Sequence, residues 1–162
     1  MVKYIYNVLW ELWRNEMITE EEKSIRLENQ LCFPLYAVSR KVIALYQPYL
    51  KQLDITYTQY IVLMALWESE NITVSELGKK LFLDNGTLTP LLKKMEKQGY
   101  LSRKRSHRDE RMVIISLTAK GHGMKEKCID IPRNIAEKVN IDLEEAQQLH
   151  SLLYGVLKKI SD

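Results

Sequence analysis

Between residues 83 and 118 the apolar side chains change their spacing from helical to extended across a single glycine, and few folds accommodate that change in so short a span. Leu88, Leu91, Leu92 and Met95 recur at i, i+3, i+4 and i+7, which gathers them on one face of a helix and turns Thr87, Thr89, Lys93, Lys94 and Lys97 elsewhere. Gly99 ends that segment. Two runs rich in strand formers follow, 100–106 and 112–117, separated by the polar residues His107, Arg108, Asp109 and Glu110, the pattern of a β-hairpin and its loop.

Charge concentrates on the same stretch. From Lys93 to Arg111 there are eight basic residues, Lys93, Lys94, Lys97, Arg103, Lys104, Arg105, Arg108 and Arg111, against three acidic ones, Glu96, Asp109 and Glu110. The local net of +5 exceeds the +3 of the whole chain, so the remaining residues sum to −2. Positive charge gathered on one helix and one hairpin suits a polyanion, because each phosphate neutralised releases condensed counterions. A charge run is ordinarily a solvated surface face. Placement on a hairpin directly after an amphipathic helix favours nucleic acid instead.

A chain of 162 residues is long enough for one domain with a substantial core. Upstream of the basic stretch, Thr56 can cap a helix to about Trp67 whose Tyr57, Tyr60, Ile61, Val62, Leu63, Met64, Ala65 and Leu66 are apolar almost all round, the mark of a buried central helix. Residues 72–74 can supply a third strand, and Ser75 caps a brief helix to Leu81. Asp84 is the better cap for the next helix, from about Asn85, although Pro90 lacks a donor and predicts distortion of its first turns. Helix, strand, helix, helix, hairpin is the order of a winged helix-turn-helix, with residues 84–98 as the recognition helix.

The two ends add helices. In residues 1–16, Val2, Ile5, Leu9, Leu12 and Trp13 stand at helical spacing, which fits an extra amphipathic helix, or a segment upstream of a start at Met17. Thr19 and Glu22 form a capping-box pattern, and helical pattern continues to about Tyr46 with an interruption at Pro34. Either a new helix starts near Leu31, which puts Cys32 at a helix N-terminus, or one helix kinks there. Pro48 marks another break. After the hairpin, Thr118 opens a helix with the stripe Met124, Cys128, Ile131, Ile135 and Val139, which Pro132 should bend. Asp142 with Glu145 opens a last helix to Ile160, with Leu143, Ala146, Leu149, Leu153, Val156, Leu157 and Ile160 on one side.

This is more apolar surface than a lone winged helix covers. A homodimer resolves it, and two-fold symmetry then sets two recognition helices about one DNA turn apart on a palindromic operator. The expected fold is mainly α, a winged helix-turn-helix with long N- and C-terminal dimerisation helices and a small β-hairpin wing. Residues 1–25 form an N-terminal extension; within 26–162, residues 54–118 make the DNA-binding lobe, and 26–53 with 119–162 the dimerisation helices.

Several function classes are disfavoured. The chain has no run of 18 apolar residues, and Glu11 and Arg14 break the only stretch resembling a signal-peptide core, so a cytoplasmic protein with no membrane role is expected. Cys32 and Cys128, the two cysteines, have no metal-type spacing, and His107, His122 and His150 do not pair with them or with carboxylates. No metal and no cofactor is expected. Lack of a C-x-x-C and of a basic partner near Cys32 argues against a peroxide-consuming thiol enzyme.

Residues from about Arg26 onward resemble the MarR family of dimeric winged-helix regulators, and within it the organic-hydroperoxide sensor branch. The similarity is carried by LENQLCFPLY (27–36), LDITYTQYIVLMALWE (53–68), LFLDNGTLTPLLKKME (81–96) and RKRSHRDERMVIISLT (103–118). It implies a recognition helix in the major groove of double-stranded DNA and a wing arginine in the minor groove. Carried onto this chain, Arg111 is the inserted arginine and Asp109 its orienting partner. Asn85, Gly86, Thr87, Thr89 and Pro90 face bases; related sequences usually show serine where Asn85 stands. Lys93, Lys94, Arg103 and Arg105 are assigned to phosphates.

The resemblance also makes Cys32 the peroxide-reactive cysteine, with Tyr36 and Tyr46 of the other subunit bonding its thiolate. Such help has a physical basis. The thiolate is the nucleophile, a free thiol has a pKa of about 8.5, and a helix N-terminus contributes only about 0.3–1 kcal/mol. Hydrogen bonds to charged sulfur, about 1.5–3 kcal/mol each before desolvation, supply more. The function implied is a repressor that senses organic hydroperoxides by oxidation of Cys32, forms a disulfide with a low-molecular-weight thiol or the second cysteine, and releases its operator. Cys128, on the apolar stripe, reads as structural. The alternative is a MarR-type repressor released by a small aromatic ligand, with Cys32 inert.

Overall fold

A computed structural model describes residues 19–106, 109 and 111–161. The amphipathic pattern of residues 1–16 and the hairpin-tip residues His107, Arg108 and Glu110 lie outside the described residues. The chain divides into two units, up to Lys41 and from Val42 onward.

In the first unit Thr19 and Glu22 close the expected capping box around α1 (Glu20–Ser24): the Thr19 hydroxyl accepts from the Glu22 N–H at 3.1 Å, and the Glu22 carboxylate accepts from the Thr19 N–H at 2.9 Å. A 3-10 turn, Leu27–Asn29, precedes α2 (Cys32–Gln52). Pro34 falls in the first turn of α2, where its missing N–H would have had no intrahelical acceptor. A new helix therefore starts at Cys32, and no kinked helix runs through Pro34. Leu27, Leu31, Phe33, Leu35, Tyr36 and Val38 are all exposed.

The break expected at Pro48 does not occur. α2 continues to Gln52 with Pro48 inside it, at a helix-interior cost of about 3 kcal/mol. Leu50 is buried and Tyr46 and Tyr49 pack against the core, burial large enough to outweigh that cost.

The second unit then follows the expected order. α3 (Tyr57–Glu68) carries a second capping box, Thr56 with Gln59, and buries Gln59, Tyr60, Val62, Leu63, Ala65 and Leu66. β1 (Ile72–Thr73) leads into α4 (Val74–Leu81), whose cap is Thr73 and not the expected Ser75. Thr73 accepts from the Glu76 N–H, and Glu76 bonds back to Thr73, which moves the helix start two residues earlier. α5 (Asn85–Lys97) is capped by Asp84 and continues as helix through Pro90. Gly99, at φ 78°, takes the left-handed conformation that ends it.

β2 (Leu101–Arg105) and β3 (Val113–Leu117) pair antiparallel from Leu101↔Leu117 to Arg105↔Val113, and β1 joins through Ile72↔Ile115. The order β1-β3-β2 leaves β2 on an edge. Leu63 and Leu66 of α3, Leu77 of α4, Leu88, Leu92 and Met95 of α5, and Leu101 and Ile115 of the sheet are fully buried together.

The helix opened by Thr118 stops where it was expected to bend. α6 (Ala119–Cys128) and α7 (Ile131–Val139) are separate, because Pro132 can neither donate to the Cys128 carbonyl nor fit its ring against it. The stripe survives the break: Met124, Cys128, Ile131 and Ile135 are buried. α8 (Leu143–Ser161) starts at the expected Asp142–Glu145 box, with bonds of 2.8 and 3.1 Å. Leu143, Leu149, Leu152, Leu153, Tyr154, Val156 and Ile160 along it are exposed.

Candidate nucleic-acid interface and thiol site

Asp84 fixes where α5 begins. Its carboxylate accepts the Thr87 N–H at 2.9 Å and the Thr87 O–H at 2.8 Å. Those bonds, the hydroxyl first, hold the Asp84 carboxyl below the usual carboxylate range. From that start the helical period buries Leu88, Leu92 and Met95 and exposes Asn85, Gly86, Thr87, Thr89, Pro90, Lys93 and Lys94. All seven helix residues assigned to DNA thus stand on the solvent side. Because the Thr87 hydroxyl hydrogen is given to Asp84, Thr87 can offer a base only its oxygen lone pairs and its methyl group.

The far end of α5 is tied to three neighbours, none of them anticipated. Gln59, 1% exposed, donates from Nε2 to Oε1 of Gln98, the C-cap of α5, at 2.6 Å. Lys120 donates to the Gln98 carbonyl at 2.8 Å, and its ammonium lies 4.4 Å from the centre of the Tyr100 ring. Glu96 accepts from Arg103 of the wing. The T-x-x-Q spacing of Thr56 and Gln59 was a visible capping signal; the partnership of Gln59 with a residue 39 positions away was not.

In the wing, Lys104, Arg105 and Arg111 are exposed. Arg103 has a partner that its assignment to phosphate did not include: its side chain is held in an ion pair with Glu96 at 2.9 Å. Asp109 also acts differently from the expected partner of a guanidinium. Its carboxylate accepts the backbone N–H of Arg111 at 2.9 Å, and its carbonyl accepts the Met112 N–H at 2.9 Å, so it shapes the turn that presents Arg111.

The two thiols are in opposite surroundings. Cys32 is exposed as the first residue of α2, whereas Cys128 is buried and burial pushes its pKa up. One turn beyond Cys32, the exposed Tyr36 accepts a hydrogen bond from Arg40 at 3.1 Å, with the guanidinium 5.4 Å from the ring centre. Arg40, about two turns beyond Cys32 on the same helix, is a cation not anticipated there. Tyr46 belongs to an aromatic cluster, edge-on to Tyr57 at 5.1 Å and 5.9 Å from Tyr60. Burial raises the pKa of all three phenols, Tyr60 to about 12, so each stays a protonated donor at neutral pH.

A cleft of about 420 Å³ in the second unit is lined by Ile43, Gln47, Tyr57, Gln59, Lys94 and Gln98 among others. Among the described residues no group of three or more His, Cys, Asp or Glu is arranged to hold a metal ion. No helix among them is long and apolar enough to cross a membrane.

Comparison with known proteins agrees with this geometry. The family profile described as transcriptional regulator SarA/Rot matches residues 44–128. Over 136 residues the chain is 52% identical to the organic hydroperoxide resistance transcriptional regulator of Bacillus subtilis strain 168, covering 84% of this chain and 92% of that one. Reduced AbfR bound to DNA, a protein of Staphylococcus epidermidis, matches with a TM-score of 0.71 at 37% identity, covering 88% of this chain and 99% of AbfR. A MarR variant from E. coli complexed with operator DNA matches with a TM-score of 0.73 at 30% identity, covering 78% and 93%. Matches this long, on a chain with a capped recognition helix and a paired wing, leave one conclusion: the chain belongs to the SarA/Rot and MarR-type winged-helix transcriptional regulators, which are not enzymes.

Proposed function

We propose that the chain is a transcriptional repressor that binds duplex DNA as a homodimer and releases it when an organic hydroperoxide oxidises Cys32. The observation that carries the reading is the contrast between the thiols: one exposed at the first turn of a helix, the other sealed in the core. α5 reads the major groove through Asn85, Gly86, Thr87, Thr89 and Pro90, with Lys93, Lys94 and Arg105 on phosphates and Arg111 in the minor groove. Residues 54–118 form the DNA-binding lobe. Residues 26–53 and 119–162 pair with those of a second copy, which would cover the apolar residues exposed on α2 and α8. Two lobes related by a two-fold axis then address a palindromic operator.

In the sensing step the Cys32 thiolate attacks the hydroperoxide. An S–O bond forms as the O–O bond breaks, the sulfur loses two electrons, and the alkoxide leaves as an alcohol after taking a proton. The sulfenic acid then condenses with a low-molecular-weight thiol, giving a mixed disulfide and water. Tyr36, and Tyr46 with its neighbour Tyr57, supply phenolic donors to the thiolate across the dimer. Added bulk and lost hydrogen bonds at that seam shift the two wings out of register with the operator. The cytoplasm, which keeps thiols reduced, is where such a switch can reset.

A mobility-shift assay on the DNA upstream of its own gene, with and without an organic hydroperoxide and at two salt concentrations, tests the reading. Operator release that persists in Cys32→Ser would remove the thiol from the mechanism. The cleft beside Tyr57 and Lys94 favours a second reading, release by a small aromatic ligand, and this is the reading that release from Cys32→Ser by an aromatic acid, without peroxide, would support.

A further inference from the structure

Glu96 makes three bonds to one residue of the wing. Its Oε1 accepts the Arg103 backbone N–H at 3.0 Å, and its Oε2 accepts from Nε and Nη2 of the same arginine, each at 2.9 Å. The backbone bond has a specific meaning in this sheet. Tyr100 and Ser106 bond across to Thr118 and Met112, so alternation along β2 turns the Arg103 N–H away from β3, toward the open edge of the sheet. An edge N–H needs a partner, and Glu96, in the last turn of α5, provides it.

The side chains are partly shielded, Glu96 36% and Arg103 25% exposed, and the guanidinium is held through two nitrogens by one carboxylate oxygen. The clamp therefore joins the recognition helix to the root of the wing at fixed orientation.

We infer that Glu96 is a positioning residue that sets the wing's angle to the recognition helix, so that both grooves of an operator are engaged at once. The inference rests on the DNA-binding reading above. It has an unusual sign. Glu96 is an anion on the most basic stretch of the chain, and electrostatics alone predicts that removing it tightens binding to any duplex. Positioning predicts that binding to the operator weakens while binding to unrelated DNA does not.

The test compares Glu96→Ala, Glu96→Gln, Arg103→Met and the Glu96→Ala/Arg103→Met pair on two probes, the fragment upstream of the gene and a scrambled duplex of equal length. Glu96→Ala is expected to lose about tenfold in operator affinity, a mid-range coupling for contacting residues, with scrambled-duplex affinity unchanged or raised about twofold. Glu96→Gln, which keeps the edge acceptor, should recover most of the loss, and the double variant should lose no more than Glu96→Ala alone. Equal changes on both probes, or additive losses in the double variant, overturn the inference. Should Glu96→Ala fail to fold, Arg103→Met carries the same comparison. If the unaltered chain does not distinguish the two probes, the repressor reading fails, independently of Glu96.

Discussion

Two glycines in α6, two residues apart, should respond to alanine in opposite directions. Helix propensity makes both substitutions favourable by up to about 1 kcal/mol, since glycine is the costliest ordinary residue in a helix interior. Space separates them. A Cβ at Gly123 meets nothing within 4 Å, so Gly123→Ala should keep that gain. A Cβ at Gly121 would lie 2.1 Å from the Tyr100 carbonyl oxygen and 2.9 Å from a Leu117 methyl group. A carbon and a carbonyl oxygen settle no closer than about 3.3 Å, so α6 must retreat by about 1.2 Å.

The retreat pulls on two bonds: Trp67 Nε1–H to the Gly121 carbonyl, 3.0 Å, and the Gly121 N–H to the Thr118 cap, 3.2 Å. Overpacking against backbone at the upper end of its range, about 3 kcal/mol, with about 1 kcal/mol for the indole bond, exceeds the propensity gain. Gly121→Ala should therefore destabilise by about 3 kcal/mol, or roughly 6–12 °C in Tm for a chain of this length. Urea denaturation followed by circular dichroism, at one protein concentration so that any association contributes equally, measures both variants. A Gly121→Ala protein as stable as the unmodified chain would refute the packing argument. A destabilised Gly123→Ala would refute the propensity argument.

Arg111→Ala should weaken operator binding and lower the slope of log affinity against log salt by about 0.9 for each wing that loses its contact; unchanged affinity would take the wing out of the mechanism. Cys128→Ala should keep the hydroperoxide response, and loss of that response would make the buried thiol the resolving partner. Asp84 and Glu76, both capping carboxylates, are held below the ordinary range by hydrogen bonds to Thr87 and Thr73. The stability each contributes is complete above the unfolded carboxylate pKa, about 4, and disappears as pH falls through the lower folded value. Asp84→Asn, which keeps a capping oxygen but does not titrate, should flatten the acid limb of stability against pH; an identical acid limb would show that the cap does not titrate with folding.

Local chemistry made the winged lobe legible from the sequence. The Thr56, Asp84 and Thr118 caps and the change of period at Gly99 are signals confined to a few neighbouring residues, and the elements formed where those signals lie. The misreadings involve competition between local and distant effects. Pro48 reads as a break until burial of the residues around it is weighed, and Ser75 loses to Thr73 because only Thr73 has Glu76 three residues on. Long-range polar pairing was the least visible. Nothing near Arg103 in the sequence announces that Glu96 faces it across the end of a helix, and Gln98 gives no hint of Gln59.

The fastenings of α5 all lie at one end. Gln59, Lys120 and the Arg103 clamp grip its last turn and cap, while the residues assigned to bases occupy the opposite end, held chiefly by Asp84 and the buried leucine face. Substitutions among Asn85, Thr89 and Pro90 therefore leave the scaffold's fixings untouched. A lineage carrying this architecture is free to retarget itself to new operators one base contact at a time, without first having to rebuild the protein.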